Sequence, residues 1–151
     1  MTTDTLASPT LAAPTPEDAS TDSMALARSA ADNALAFAEL LAGRLATLAD
    51  AFRAGDDQDA LLRLGESADD LEHFLTFIVL VAEIIETSSP SIFADLHRYR
   101  GQLMTTLEGL QPALGDLDLV EVADTLEHDL VASLADYREL NTPVLDALQA
   151  A

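Results

Sequence analysis

Histidines and carboxylates are the residues of this chain that could hold a metal ion. Two of the three histidines occur in the repeated pairs Glu72-His73 and Glu127-His128. Helical bundles that bind two metal ions use Glu-x-x-His, a spacing that points both side chains inward. Adjacent residues on a helix diverge by about 100°, so the side chains of each pair point to different faces. We therefore predict exposed polar residues here, with no metal ion and no cofactor.

The remaining histidine lies in the segment His97-Arg98-Tyr99-Arg100-Gly101. This segment resembles the His-x-x-Lys-Gly core of histidine phosphotransfer domains, which are four-helix bundles with an exposed histidine on a helix. The resemblance covers five residues. It implies that His97 is the phospho-acceptor, that Arg100 is the cation beside the phosphoryl group, and that Gly101 leaves clearance for a receiver domain. A phosphotransfer module is therefore the alternative function.

Other catalytic patterns are missing from the sequence. It has no cysteine, which excludes disulfides, thiol catalysis and thiolate metal sites. It contains no glycine-rich phosphate loop, nucleophile elbow or Ser/His/Asp arrangement. We predict a protein that is not an enzyme and has no small-molecule substrate.

The charge of the chain restricts its partners. Seven Arg and no Lys face 27 Asp and Glu, for a formal net charge of −20. Nucleic acid and anionic membranes are poor partners, because both require a cationic face. The acidity suits a basic partner, a solvated surface or a salt-adapted cytoplasm. The remaining prediction is another protein or self-association, including a homodimer.

The residues above are positioned by helices, and two helices carry a repeat. Ala68-Asp-Asp-Leu-Glu-His-Phe-Leu75 returns 55 residues later (123 − 68) as Ala123-Asp-Thr-Leu-Glu-His-Asp-Leu130. The predicted core positions of the first copy step by four and three, as one face of a helix does: Leu64, Ala68, Leu71, Leu75, Ile78, Ala82 and Ile85. The same shift relates Phe37, Leu41, Leu48 and Phe52 to Ile92, Leu96, Leu103 and Leu107. We predict an all-α fold, an antiparallel four-helix bundle built from two tandem helical hairpins.

Turn and cap residues divide the chain. Residues 1–22 are rich in Ala, Ser, Thr, Pro and Asp and predict a disordered tail without a secretory signal, hence a cytoplasmic location. Hairpin one is predicted at 23–87 with a turn at Gly55, and hairpin two at 89–141. Gly43 is attributed to close helix packing, and Ser89-Pro90 and Asp118 are predicted to start the third and fourth helices. Helix three should end near Pro112, and a short helix should cover 143–150 after Pro143.

The end of the second helix is apolar on nearly every face. Phe74, Phe77, Val81 and Ile84 lie off the predicted core face. A helix of this kind is central, covered by another segment, or at an interface. The apolar run is too short to span a bilayer, which requires about 20 residues. We predict that these four residues bind a partner. In the competing interpretation, the C-terminal helix or the first half of helix one covers them.

The segment Asp118–Leu130 resembles a pattern in small, uncharacterised bacterial helical proteins, in which an Asp-x-Val-x-x-Ala-Asp-x-Leu-Glu-x-x-Leu helix follows a short turn. The resemblance covers about thirteen residues and implies an all-helical bacterial protein without a known activity. The leading functional hypothesis is a non-enzymatic adaptor or chaperone-like module that binds protein.

Overall fold

The computed structural model describes residues 16–151, with side chains from residue 22 onward, and these residues form helices joined by short turns. Their bounds are α1 Pro16–Ala54, α2 Asp57–Ile85, α3 Pro90–Gly115, α4 Leu119–Asp124, a π-helical segment Thr125–Leu130, α5 Val131–Ala135 and α6 Tyr137–Ala150. The all-α prediction is confirmed for these residues. Within residues 16–151, none of these helices combines the length and apolarity needed to cross a bilayer.

Helix α1 packs against α2 on one side and against the segments from α4 to α6 on the other. Three polar contacts show the direction of the second pairing. The Arg28 guanidinium donates to the carbonyl of Leu148 at 3.1 Å, Arg138 pairs with Glu39, and Arg53 contacts Asp124 at 3.0 Å. Residue numbers rise along α1 as they fall along its partner. These contacts are consistent with the predicted antiparallel bundle.

One hydrophobic core runs through the described residues. Helix α1 contributes a buried stripe that is alanine-rich in its first half, Ala27, Ala31, Ala34 and Ala38, and larger after that, with Leu41, Leu45, Leu48 and Phe52. Small side chains let a neighbouring helix approach closely, and α6 lies against this half of α1.

The turns follow the cap chemistry of the sequence. Asp118 is the N-cap of α4, and its carboxylate accepts a hydrogen bond from the Glu121 amide at 3.2 Å, as predicted. Pro90 opens α3 as its first residue after Ser89. Gly55 has φ +89° in the α1–α2 turn. The α3–α4 turn places Leu117 at φ +53°, a conformation that costs a residue with a side chain about 1–2 kcal/mol.

Three predicted helix boundaries are wrong. Helix α1 begins at Pro16, so residues 16–22 of the predicted tail are helical, and residues 1–15 lie outside the described residues. Proline is favoured in the first turn of a helix, where its missing N–H costs nothing. Helix α3 continues through Pro112 to Gly115, and the Pro112 carbonyl accepts from the Asp116 amide at 3.0 Å. Helix α6 begins at Tyr137 and contains Pro143, so the break falls at Asp136.

The two copies of the repeat do not form equivalent rods. The first lies in the uninterrupted α2, whereas the second crosses α4, the π-helical segment and α5. Leu71 and its counterpart Leu126 are both buried, but buried Phe74 corresponds to exposed Asp129. A π turn accommodates an additional residue relative to an α turn. The packing of the second copy therefore departs from that of the first after Leu126.

Candidate protein-binding groove

Phe74 lies at the centre of a cluster of aromatic rings. Its ring centroid is 5.3 Å from that of Tyr137 in α6, in an edge-to-face arrangement, and 6.2 Å from those of Phe37 in α1 and Phe77 in α2. The Tyr99 ring of α3 is 5.9 Å from that of Tyr137. Such distances are within the range of favourable aromatic pairs. Helices α1, α2, α3 and α6 therefore meet at this cluster.

Phe74 and Val81 are not surface residues, as a direct binding role would require, because both side chains belong to the core. Phe74 is 2% exposed and Val81 is fully buried. Phe37 covers Phe74 from α1, which the competing interpretation named, and Tyr137, predicted within the fourth helix, covers it from α6. Phe77 and Ile84 are partly buried against the same core, and neither is freely exposed.

The two tyrosines of the chain are buried with different hydrogen bonding. The Tyr99 hydroxyl donates to the carbonyl of Ser133 at 2.6 Å. The Tyr137 hydroxyl is buried and has no partner among the described residues. Burial raises the pKa of both hydroxyls above the ordinary value of 10.0, and the nearby Asp136 carboxylate further raises the pKa of Tyr99. Both tyrosines therefore remain neutral at physiological pH.

On the outer side of this cluster, α1 and α2 leave an open apolar pocket of about 230 Å³. Ala30, Ala34 and Phe37 line it from α1, and Phe74 and Phe77 from α2. Polar side chains, Asn33 and His73, complete its lining. The side chains of Ala30 and Ala34 are too small to fill the space beside Phe74 and Phe77. The volume is below the roughly 300–1,000 Å³ of small-molecule pockets and suits one large apolar side chain.

Farther along the same two helices lies a larger, more polar section of about 820 Å³. Its lining includes Leu40, which is 55% exposed, and Gly43, Thr47 and Ser67. Attributing Gly43 to close packing was wrong, because a Cβ built there meets nothing within 4 Å. Together the two sections extend from Ala30 to Leu48 along α1. Those 18 steps amount to about 27 Å, or five turns of helix. We call this cleft the α1–α2 groove.

The polar section of the α1–α2 groove is acidic. Its two arginines are already paired, Arg44 with Asp70 at 3.0 Å and Arg63 with Asp59 at 2.6 Å. Glu66 and Asp69 line the same section and form no ion pair among the described residues. The groove therefore combines an apolar pocket at one end with uncompensated negative charge at the other.

The three predicted phosphotransfer residues differ in their exposure. His97 is exposed on α3, and its ring stacks on Phe93 with centroids 6.2 Å apart. Gly101 is also exposed, and a Cβ built there meets nothing within 4 Å. Arg100 is half-buried, and its Nε is buried without a hydrogen-bond partner among the described residues. His97 and Gly101 thus lie on the surface, whereas the Nε of Arg100 is turned toward the protein.

The two Glu-His pairs are exposed on separate helical segments, Glu72 and His73 on α2 and Glu127 and His128 in the π-helical segment. Glu127 pairs with Arg53, and His73 borders the apolar pocket. Among the described residues, no group of three or more His, Asp or Glu side chains is arranged to hold a metal ion.

Sequence reasoning missed the α1 side of the groove. Ala30 and Phe37 are partly exposed and line the apolar pocket, whereas the predicted binding residues all lie on α2. The available signal was the pairing of alanines on α1 with phenylalanines on α2, which leaves a gap wherever the two helices face each other.

Comparison of the chain with protein-family models, with curated proteins and with solved structures gave no match.

Proposed function

We propose that the protein is a non-enzymatic protein-binding module that accepts a helix of another protein in the α1–α2 groove. The apolar pocket beside Phe77 carries this proposal. It is open, lined by the partly exposed rings of Phe37 and Phe77 and by buried Phe74, and sized for one side chain. Amphipathic helices bind other proteins by placing apolar anchors in such grooves.

The arrangement of the helices supports the proposal. We infer that α1, α2, α3 and the series from α4 to α6 form an antiparallel four-helix bundle, in which the groove is the outer seam between neighbouring helices. The seam is held by the core beneath it, through Leu41, Leu71 and Phe74. A rigid groove loses little entropy on binding, which favours affinity.

A groove-filling substitution tests the proposal. We expect Ala30→Phe to fill the apolar pocket and to weaken partner binding about tenfold or more, because one buried apolar anchor contributes about 1.5–3 kcal/mol. The measurement is quantitative capture of a native-host partner by the full chain and by the variant. Ala36→Phe is the matched control, since Ala36 is an exposed α1 residue outside the groove lining.

A partner captured equally by all three proteins would contradict the proposal. If Ala30→Phe disturbs folding, Asn33→Phe provides a second filling variant, because Asn33 is exposed and lines the same pocket. Circular dichroism confirms that each variant keeps its helices before binding is compared.

A phosphotransfer module is the second candidate function, favoured by the exposure of His97 beside the open Gly101. Phosphate on His97 would then be acid-labile. We expect the wild-type chain, incubated with acetyl phosphate or a phosphorylated receiver, to acquire such a label and His97→Gln to lack it. His128→Gln is the matched control, since His128 is another exposed histidine. An unlabelled wild-type chain excludes this candidate.

A further inference from the structure

We infer that the helix bound by the α1–α2 groove is cationic and amphipathic, with an apolar anchor and a basic cluster set about nine residues apart. The inference rests on the proposed function and specifies its partner. Its basis is the division of the groove into an apolar section and an acidic section, which a single helix lying along the groove would contact in turn.

The spacing follows from the geometry of α1. Ala34 lies in the middle of the apolar section and Gly43 in the middle of the polar section. Nine residues of helix (43 − 34) advance about 14 Å. A bound helix parallel or antiparallel to α1 advances at the same rate. Its anchor, a Leu or Phe, would enter the pocket beside Phe77, and its basic residues would meet Glu66 and Asp69 two and a half turns away.

The charge of the chain selects the class of partner. Arg44 and Arg63 are already paired with acidic side chains. A basic side chain of the partner can therefore pair with Glu66 or Asp69 without breaking an existing ion pair. A second copy of this chain is disfavoured, because it also has a net charge of −20 and like charges repel. The groove therefore suits a basic partner better than it suits a second copy of this chain.

The experiment uses synthetic helical peptides of about 18 residues, matched to the five turns of the groove. The first has one Phe anchor and three Lys centred nine residues away. The second has the same composition with the Lys moved beside the Phe, and the third replaces Lys by Glu. We expect the first to bind the full chain at least about tenfold more tightly than either of the others, by fluorescence anisotropy. Raising the salt concentration to about 1 M, where the Debye length is near 3 Å, should remove most of this advantage.

A charge-matched pair of variants separates groove binding from general attraction to an acidic protein. Glu66→Gln with Asp69→Asn should weaken the first peptide about three- to tenfold. Glu83→Gln with Glu86→Gln makes the same change in net charge at exposed positions outside the groove, one in the last turn of α2 and one just after it, and should leave binding unchanged. Equal loss in both pairs, or equal binding of the first two peptides, overturns the inference.

The failure of this inference differs from the failure of the proposed function. If the glutamate peptide binds as tightly as the lysine peptide and Ala30→Phe blocks both, the groove binds helices without the inferred charge preference. If Ala30→Phe leaves binding of every peptide unchanged, the groove is not the binding site and both conclusions fall. A chain that dimerises through the groove in sedimentation experiments, and loses the dimer with Ala30→Phe, overturns the choice of a foreign partner.

Discussion

Replacing Phe74 by alanine is expected to reduce the free energy of unfolding by about 3–5 kcal/mol, the usual cost of deleting a buried aromatic ring. Phe74 is 2% exposed, and its ring contacts those of Phe37, Phe77 and Tyr137 from three helices. A domain of this size is stable by about 5–15 kcal/mol, so the loss is a large share of the total. Urea denaturation followed by circular dichroism measures it as a lower midpoint.

Phe77→Ala is the internal control for this prediction. Phe77 carries the same side chain three residues away on α2 but is only partly buried, so its removal should destabilise the protein less. The comparison also distinguishes two roles for Phe74. If Phe74 were a binding residue on the surface, its loss would leave the unfolding midpoint nearly unchanged. A decrease in the free energy of unfolding of less than about 1 kcal/mol would therefore favour the surface role.

Local chemistry accounts for what the sequence could predict. A cap such as Asp118 depends on residues within one turn of helix, and so does Pro90 at the start of α3. Gly55 reverses the chain because glycine adopts a positive φ without steric cost. The helical periodicity of α1 and α2 is similarly local. These features need no knowledge of which helices become neighbours.

Coverage of the apolar end of α2 could not be predicted in the same way. Whether Phe74 is exposed depends on Tyr137, which lies 63 residues later (137 − 74) in a helix whose predicted start was wrong. Pro143 suggested a break, yet the chain bends at Asp136, and this places Tyr137 at the start of α6 against Phe74. Tertiary contacts of this kind override local preference. The groove was missed for the same reason, since it exists only where α1 and α2 face each other.

The π-helical segment illustrates a further limit of pattern matching. Its sequence, Thr125–Leu130, lies within the second copy of the repeat, whose first copy is α-helical. The two copies differ at Phe74 and Asp129, one buried and one exposed. From the last residue of the π-helical segment onward, Leu130, Leu134 and Tyr137 all face the core. The residues that the two copies share therefore reflect a common helical propensity. Their different packing arises from the helices that surround each copy.

Alkaline pH is expected to unfold the protein through its two tyrosines. Both phenols are buried, and burial raises their pKa in the folded state above the value near 10 of an unfolded chain. The folded state therefore retains protons that the unfolded state releases. The stability due to each neutral tyrosine is fully present below pH 10 and is lost as the pH rises toward the folded-state pKa. The slope is at most about 1.4 kcal/mol per pH unit for each tyrosine, so two tyrosines remove up to about 5 kcal/mol by pH 12.

The composition of the chain makes this transition unusually easy to assign. There is no lysine and no cysteine, and arginine remains protonated, so the tyrosines are the side chains that titrate above pH 9. Tyrosinate absorbance and circular dichroism should therefore change together, because the phenols ionise only as the helices unfold.

Tyr99→Phe and Tyr137→Phe should each halve the slope of stability against pH, and the double variant should flatten it. The Tyr137 hydroxyl has no hydrogen-bond partner in the part of the chain that the structure describes, so Tyr137→Phe should also match or exceed the wild-type stability at neutral pH, whereas Tyr99→Phe loses the bond to Ser133. Tyrosinate absorbance that rises near pH 10 while the helices remain intact would show that the phenols are accessible to water, and the aromatic cluster would then be more open than these ring contacts require.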